Sequence, residues 1–164
     1  MKILKIGAVI IINIALQGCA TIGMLPKSVN NVDFDSLEGK TGWSQYQQVE
    51  TFRKYTTSQI YDALKVGLGD AGFSLRMADK NNGVIIGEHG ITLHDWNVIA
   101  GCYFKEEGEN VKVKIIIEGS KDIGISGDVT SDGWTGKILK GTREYLNNTH
   151  QSILKVDRED LKNN

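Results

Sequence analysis

The stretch TTSQIYDALKVGLGDAGFSLRMADKNNGVII, residues 56–86, decides the fold. Thr56-Thr57-Ser58-Gln59 has the T-x-x-Q form of a capping box, in which hydroxyl and amide side chains satisfy the free N–H groups that open a helix. Ile60, Ala63, Leu64, Leu68 and Ala71 then recur at helical spacing, and Gly72 supplies the stop. Phe73 to Met77 alternates apolar and polar as a half-buried strand does. Asn82-Gly83 is a type I′ hairpin signal, and Val84-Ile85-Ile86 restarts a strand, so two antiparallel strands follow the helix.

Gln47 to Tyr55 alternates and predicts a first strand before that helix. After it, a third long strand falls within Trp96 to Lys105, and an acidic, glycine-containing turn at Glu106 to Asn110 leads into Val111 to Glu118. There Val111, Val113, Ile115 and Ile117 face one way and Lys112 and Lys114 the other, which predicts one packed face and one wet face. Gly119 to Gly133 reads as a long loop with a short edge strand at Ile123 to Ile125. Ser131 or Asp132 caps a last helix carrying Trp134, Ile138, Leu139, Thr142, Tyr145 and Leu146. The order predicts an α+β fold: an antiparallel sheet of four to five strands with two helices packed on one face. From Ser58 to Gly87 the pattern resembles small α+β domains of periplasmic lipoproteins, such as the helix-grip modules of the Bam-complex lipoprotein BamC. That likeness rests on element order and transfers no site.

The 164 residues, 40% hydrophobic and 24% charged, exclude a disordered chain, a collagen-like repeat and a polytopic membrane protein. Nineteen basic residues against 20 acidic ones leave no positive excess to attract nucleic acid.

At the N-terminus, Lys2 and Lys5 precede an apolar run from Ile6 to Leu16. As a helix that run rises about 16 Å, against a hydrocarbon core of about 30 Å. It reads as a cleavable signal peptide. Leu16-Gln17-Gly18-Cys19 resembles the lipobox of bacterial lipoproteins, with Gln17 where that family usually has a small residue. The resemblance implies cleavage between Gly18 and Cys19 and acylation of Cys19, whose several acyl chains anchor the protein. Ala20, in place of the aspartate that favours inner-membrane retention, implies the periplasmic face of the outer membrane. In an organism with no outer membrane, the same anchor implies the outer surface of the plasma membrane.

The implied organisation is a signal peptide at 1–18, a lipidated flexible tether at 19–44, a domain at 45–150 and a polar tail at 151–164. As a coil, a tether of about 25 residues reaches roughly 25–30 Å, unless Val32, Phe34 and Leu37 pack along the domain. Removing residues 1–18 takes two lysines and no acids, leaving a mature chain with 17 basic and 20 acidic residues.

Cys102, the other cysteine, lies among Val98, Ile99, Ala100, Tyr103 and Phe104 and reads as a buried small hydrophobe. His89, His94 and Asp95 with Cys102 form a three-ligand metal site only on paper, because the two histidines share neither a helix face nor a strand face. Asp122, Asp128 and Asp132 lack the register of a calcium loop and read as turn formers. No nucleophile elbow, zinc-protease motif or dinucleotide fingerprint occurs. Trp43 with Tyr46, at the tether boundary, is the candidate partner contact. The expectation is a membrane-anchored, non-enzymatic binding or adaptor module for another envelope protein, without a cofactor. The alternatives are a small hydrolase or metal enzyme using His89, His94, Asp95 or the 122–132 loop, and a lipid carrier with a cavity between helix and sheet.

Overall fold

The computed structural model describes residues 21–41, 45–90, 97–119 and 133–160. The elements are β1 (Gly39–Lys40), β2 (Gln45–Arg53), α1 (Thr57–Asp70), β3 (Ser74–Asp79), β4 (Val84–His89), β5 (Val98–Glu107), β6 (Asn110–Glu118) and α2 (Trp134–Asp160). The strands form one sheet in the order β1-β2-β6-β5-β4-β3, antiparallel throughout. Both helices pack on one face of it, the α+β plan expected from the element order.

Local chemistry sets the boundaries of α1. The Gln59 N–H donates to Thr56 Oγ1 at 3.2 Å, and Thr56 N–H donates to Gln59 Oε1 at 2.8 Å, completing the capping box. Gly72, at φ 86°, turns the chain out of the helix, and Phe73 N–H closes back onto the Leu68 carbonyl at 2.9 Å. Ile60, Leu64 and Leu68 are fully buried. At about 2 kcal/mol per buried side chain they outweigh a cap worth about 1 kcal/mol, so packing fixes the buried face while the box fixes the first turn.

The β3–β4 hairpin is present, but not as a two-residue type I′ turn at Asn82-Gly83. Asp79 pairs with Val84, leaving four loop residues. The Asp79 carboxylate accepts from Asn82 N–H at 3.0 Å and Asn82 Nδ2 at 2.7 Å, holding Asn82 inside the loop. Gly83, at φ 59°, leaves no room for a side chain between the Phe104 carbonyl and Val29.

The first strand sits two residues earlier than expected, ending at Arg53, because Lys54 takes φ 67° and breaks the alternation. The last helix, α2, runs unbroken through residue 151, where the polar tail was set, to Asp160. A helix already nucleated by a packed face propagates through polar residues without needing burial of its own. Thr149 and Ser152 hydroxyls donate to carbonyls four residues back, at 2.9 and 2.8 Å. No helix among the described residues is long and apolar enough to cross a membrane.

On the helix side lie Phe52, Ile85, Ala100, Cys102, Phe104, Val111, Val113, Ile115 and Ile117, packed against Ile60, Leu64, Leu68, Ile138 and Leu139. The wet face predicted for the other side is overturned. Val84, Ile86, Ile99, Tyr103 and Ile116 form a second buried cluster there with Leu25 and Phe34. Lys114, assigned to solvent by the alternation of β6, is 1% exposed. The period-2 pattern placed it on the correct face, but that face is covered. Its cover is the segment expected to be a free tether: residues 21–40 cross the sheet as a strap with 3-10 turns at Ile22–Met24 and Val29–Asn31, then join its edge as β1.

The helices meet through small residues. A Cβ on Gly67 would stand 2.9 Å from Thr142 N and closer still to the Ile138 carbonyl and the Thr142 hydroxyl, whereas Gly69 has open space. Gly67→Ala is expected to destabilise the fold by about 1–3 kcal/mol through overpacking. Gly69→Ala is expected to stabilise it by about 0.5–1 kcal/mol through helix propensity. Urea denaturation of the two variants beside wild type checks the opposed signs.

Candidate functional site

The strap is the most heavily built feature outside the main core. Val29 N–H donates to the Asn82 carbonyl at 2.9 Å, and the Val29 side chain lies against Gly83. Tyr103 folds its ring back over Gly101, where a Cβ would be 2.6 Å from the phenol oxygen, and its hydroxyl donates to the Pro26 carbonyl at 3.0 Å. Burial pushes the Tyr103 hydroxyl well above its usual range, so it remains a donor at any physiological pH.

Farther along, the Lys114 ammonium donates to the Asp33 carbonyl at 2.6 Å and to Ser36 Oγ. Asp33 in turn accepts the Asp35 N–H at 2.9 Å, fixing the turn that presents its carbonyl. Burial pulls the Lys114 pKa below the ordinary lysine value, against the opposing charges of Asp33, Glu38 and Asp35. Lys112 reaches Asp35 at 3.2 Å and Glu107 at 3.6 Å, and these partners raise its pKa. The Lys105 ammonium sits 4.5 Å from the centre of the Phe34 ring. A single lysine row on the outer face of β5 and β6 therefore holds the second half of the strap.

At the opposite end of the helix side, His89 closes β4 within an aromatic group. Its ring centre is 4.6 Å from that of Trp134 and 5.8 Å from that of Phe73, and Phe73 meets Trp134 edge-on at 5.3 Å. Among the described residues, its buried Nδ1 has no hydrogen-bond partner. Trp134 takes the core-edge role expected of it, with Lys137 over its outer face at 4.6 Å.

The paper metal site does not assemble around Cys102. That residue pairs with Ile85, four positions from His89 on the same strand, about 13 Å away at strand rise. His94, Asp95, Trp96, the Asp122, Asp128 and Asp132 loop, the predicted strand at 123–125, Trp43, and Gly18 with Cys19 all lie outside the described residues. Among the described residues no three His, Cys, Asp or Glu side chains gather to hold a metal. Tyr46, the described half of the candidate partner contact, is half-buried within β2, opposite Lys40 of β1 and Ile117 of β6.

A cleft of about 220 Å³ opens beside the ends of β2 and α1, bounded by Lys54, Tyr55, Asp62, Tyr145, Thr149 and His150. It is smaller than the roughly 300–1,000 Å³ typical of ligand pockets. One Asp62 oxygen is already held by Lys65 at 3.0 Å. Between helices and sheet, where a lipid cavity would need to lie, the described space is filled by Leu64, Leu68, Cys102, Ile115 and Leu139. The sheet edges are blunted as well. At one side β1 is two residues long; at the other, β3 carries a bulge between Leu75 and Met77 and an Arg76–Glu88 ion pair at 2.7 Å.

No protein-family model matches the sequence. No curated protein matches it either. Among solved structures, TTHA0849 from Thermus thermophilus is similar at 13% identity and a TM-score of 0.40, over 64% of this chain and 98% of that one. Ara h 8.0201 is similar at 13% identity and a TM-score of 0.37, over 63% of this chain and 97% of that one.

Two outcomes follow from this geometry. Lys114→Ala leaves the Asp33 carbonyl without its donor and opens a gap under the strap. It is expected to cost about 2–3 kcal/mol and to speed proteolysis within residues 21–40, whereas Lys112→Ala leaves the denaturation midpoint near wild type. Limited proteolysis with mass mapping separates the two. Cys102 is fully buried, and burial pushes its thiol far above the ordinary range. In a soluble form beginning at Thr21, a maleimide is expected to label it only after denaturant is added.

Proposed function

We propose that this protein is an envelope lipoprotein, acylated at Cys19, whose domain serves as a non-enzymatic binding or adaptor module on the periplasmic face of the outer membrane. The observation that carries the reading is the run from Lys2 to Cys19: a positive start, an apolar stretch too short to span a bilayer, and Leu16-Gln17-Gly18-Cys19 at its end. Ala20 favours the outer membrane over the inner one. The filled helix–sheet interface among the described residues leaves the domain surface as the place for recognition in this reading. The blunted edges of β1 and β3 make strand addition the less favoured mode of binding. Trp43 beside Tyr46 remains the proposed contact for a protein partner.

Labelled palmitate fed to cells expressing the full chain tests the anchor, and crosslinking in the same cells tests the module. Wild type is expected to incorporate label and to crosslink to a defined envelope protein. Cys19→Ser is expected to remain an unlabelled precursor that loses that partner. Label retained by Cys19→Ser would refute the anchor. Turnover of an envelope substrate by the purified domain, abolished by one polar substitution, would refute the non-enzymatic module.

A further inference from the structure

A lipid anchor on a long tether lets a domain roam, whereas an anchor on a fixed strap holds it down in one orientation. The strap begins at Thr21, two residues after Cys19; its first turn is closed by Met24 N–H on the Thr21 carbonyl at 2.9 Å and packs Ile22 against the second cluster, and from Leu25 onward it is fixed to the sheet by burial of Leu25 and Phe34, by Tyr103 on Pro26, by Val29 on Asn82 and by Lys114 on Asp33. Two residues of extended chain span at most about 7 Å. The polar layer on each side of a bilayer is about 5–8 Å deep. From these lengths we infer that the protein rests directly on the lipid head groups, with the strap-covered face of the sheet toward the bilayer and the helices facing away. This rests on the lipoprotein reading above and adds a bound surface to it.

The contact patch is the corner from Thr21 to Lys27. Met24 is 59% exposed there, an apolar side chain for the interface, and Lys27 is the cation beside it, its ammonium turned onto the Ile22 carbonyl. The strap's acids, Asp33, Asp35 and Glu38, all lie in its second half, on the side of β6 and β2. An anionic surface therefore attracts the first half of the strap, whose sequence carries Lys27 and no acid, whereas the acids of the second half are offset by Lys105, Lys112 and Lys114. Met24 and Val66 report the two sides, since Val66 lies at the surface of α1, in the helix layer on the opposite face of the sheet.

The test uses the full-length acylated protein in phosphatidylethanolamine–phosphatidylglycerol vesicles carrying a nitroxide on the lipid head group. A fluorophore is attached through Met24→Cys or Val66→Cys; Cys19 is acylated and Cys102 is buried, so neither competes. Both substitutions replace surface-exposed side chains, and circular dichroism confirms the fold. Quenching at position 24 is expected to exceed that at position 66 several-fold. The difference should disappear when a flexible Gly-Ser segment of 20 residues is inserted between Ala20 and Thr21. Equal quenching at the two positions in the uninserted chain, or a difference that survives the insertion, would overturn the inference while leaving the anchor intact. Intact mass tells the two failures apart: a purified chain lacking acyl groups removes the lipoprotein reading, and this inference with it.

Discussion

The whole arrangement depends on a sheet that is apolar on both faces. A sheet with one greasy side needs one covering layer, and the two helices supply it here. The outward side chains of β4, β5 and β6 include Val84, Ile86, Ile99, Tyr103 and Ile116, a surface that water would penalise at about 25 cal/mol per Å². The chain meets that demand with twenty residues of irregular backbone instead of a third helix. Irregular backbone has few internal hydrogen bonds, so the strap borrows its partners from the sheet: a phenol, two lysines and the carbonyl of a hairpin loop.

Lys114 shows how such a cover is secured. A buried ammonium is costly by itself, and here it finds a carbonyl and a hydroxyl, with the carboxylates of Asp33, Asp35 and Glu38 around it. An apolar residue there would pack but could not choose a register. The lysine accepts only the strap position that brings the Asp33 carbonyl and Ser36 into reach. Across the sheet, the bidentate pair of Arg143 with Glu50 ties α2 to β2 in the same directional way, and it raises the arginine pKa further.

Legibility in the sequence followed the reach of each signal. The capping box at Thr56, the Gly72 stop and the alternation of β6 are decided within a few residues, and each lies where the local pattern puts it. The hairpin loop went astray by two residues because an aspartate side chain competed with the turn residues. The strap was only half legible, with packing of Phe34 along the domain standing as the alternative to a free tether, because residues 20–44 have no period: what places Leu25 and Phe34 is a partner surface about fifty to ninety residues away in sequence. Lys114 was misread for the same reason, since alternation tells which face a side chain takes and not what lies on top of it. A lysine set between valine and isoleucine on a strand whose neighbours are apolar outward was the available clue. For the candidate site, the proposal at Cys19 rests on its motif alone, and the His89 ring cluster emerged only in three dimensions, from Phe73 and Trp134 on separate elements.

The strap also bears on how the molecule assembles. Asp33 and Lys114 are 81 residues apart, and Pro26 and Tyr103 are 77 apart. Contacts of that separation carry a loop-closure cost like that of the β2–β6 pairing, where Gln45 lies opposite Glu118, so the strap and the sheet edge meet the same entropic demand. Without the strap in place the outer face of the sheet is an open hydrophobic surface, so the strap is also what shields that surface from neighbouring chains.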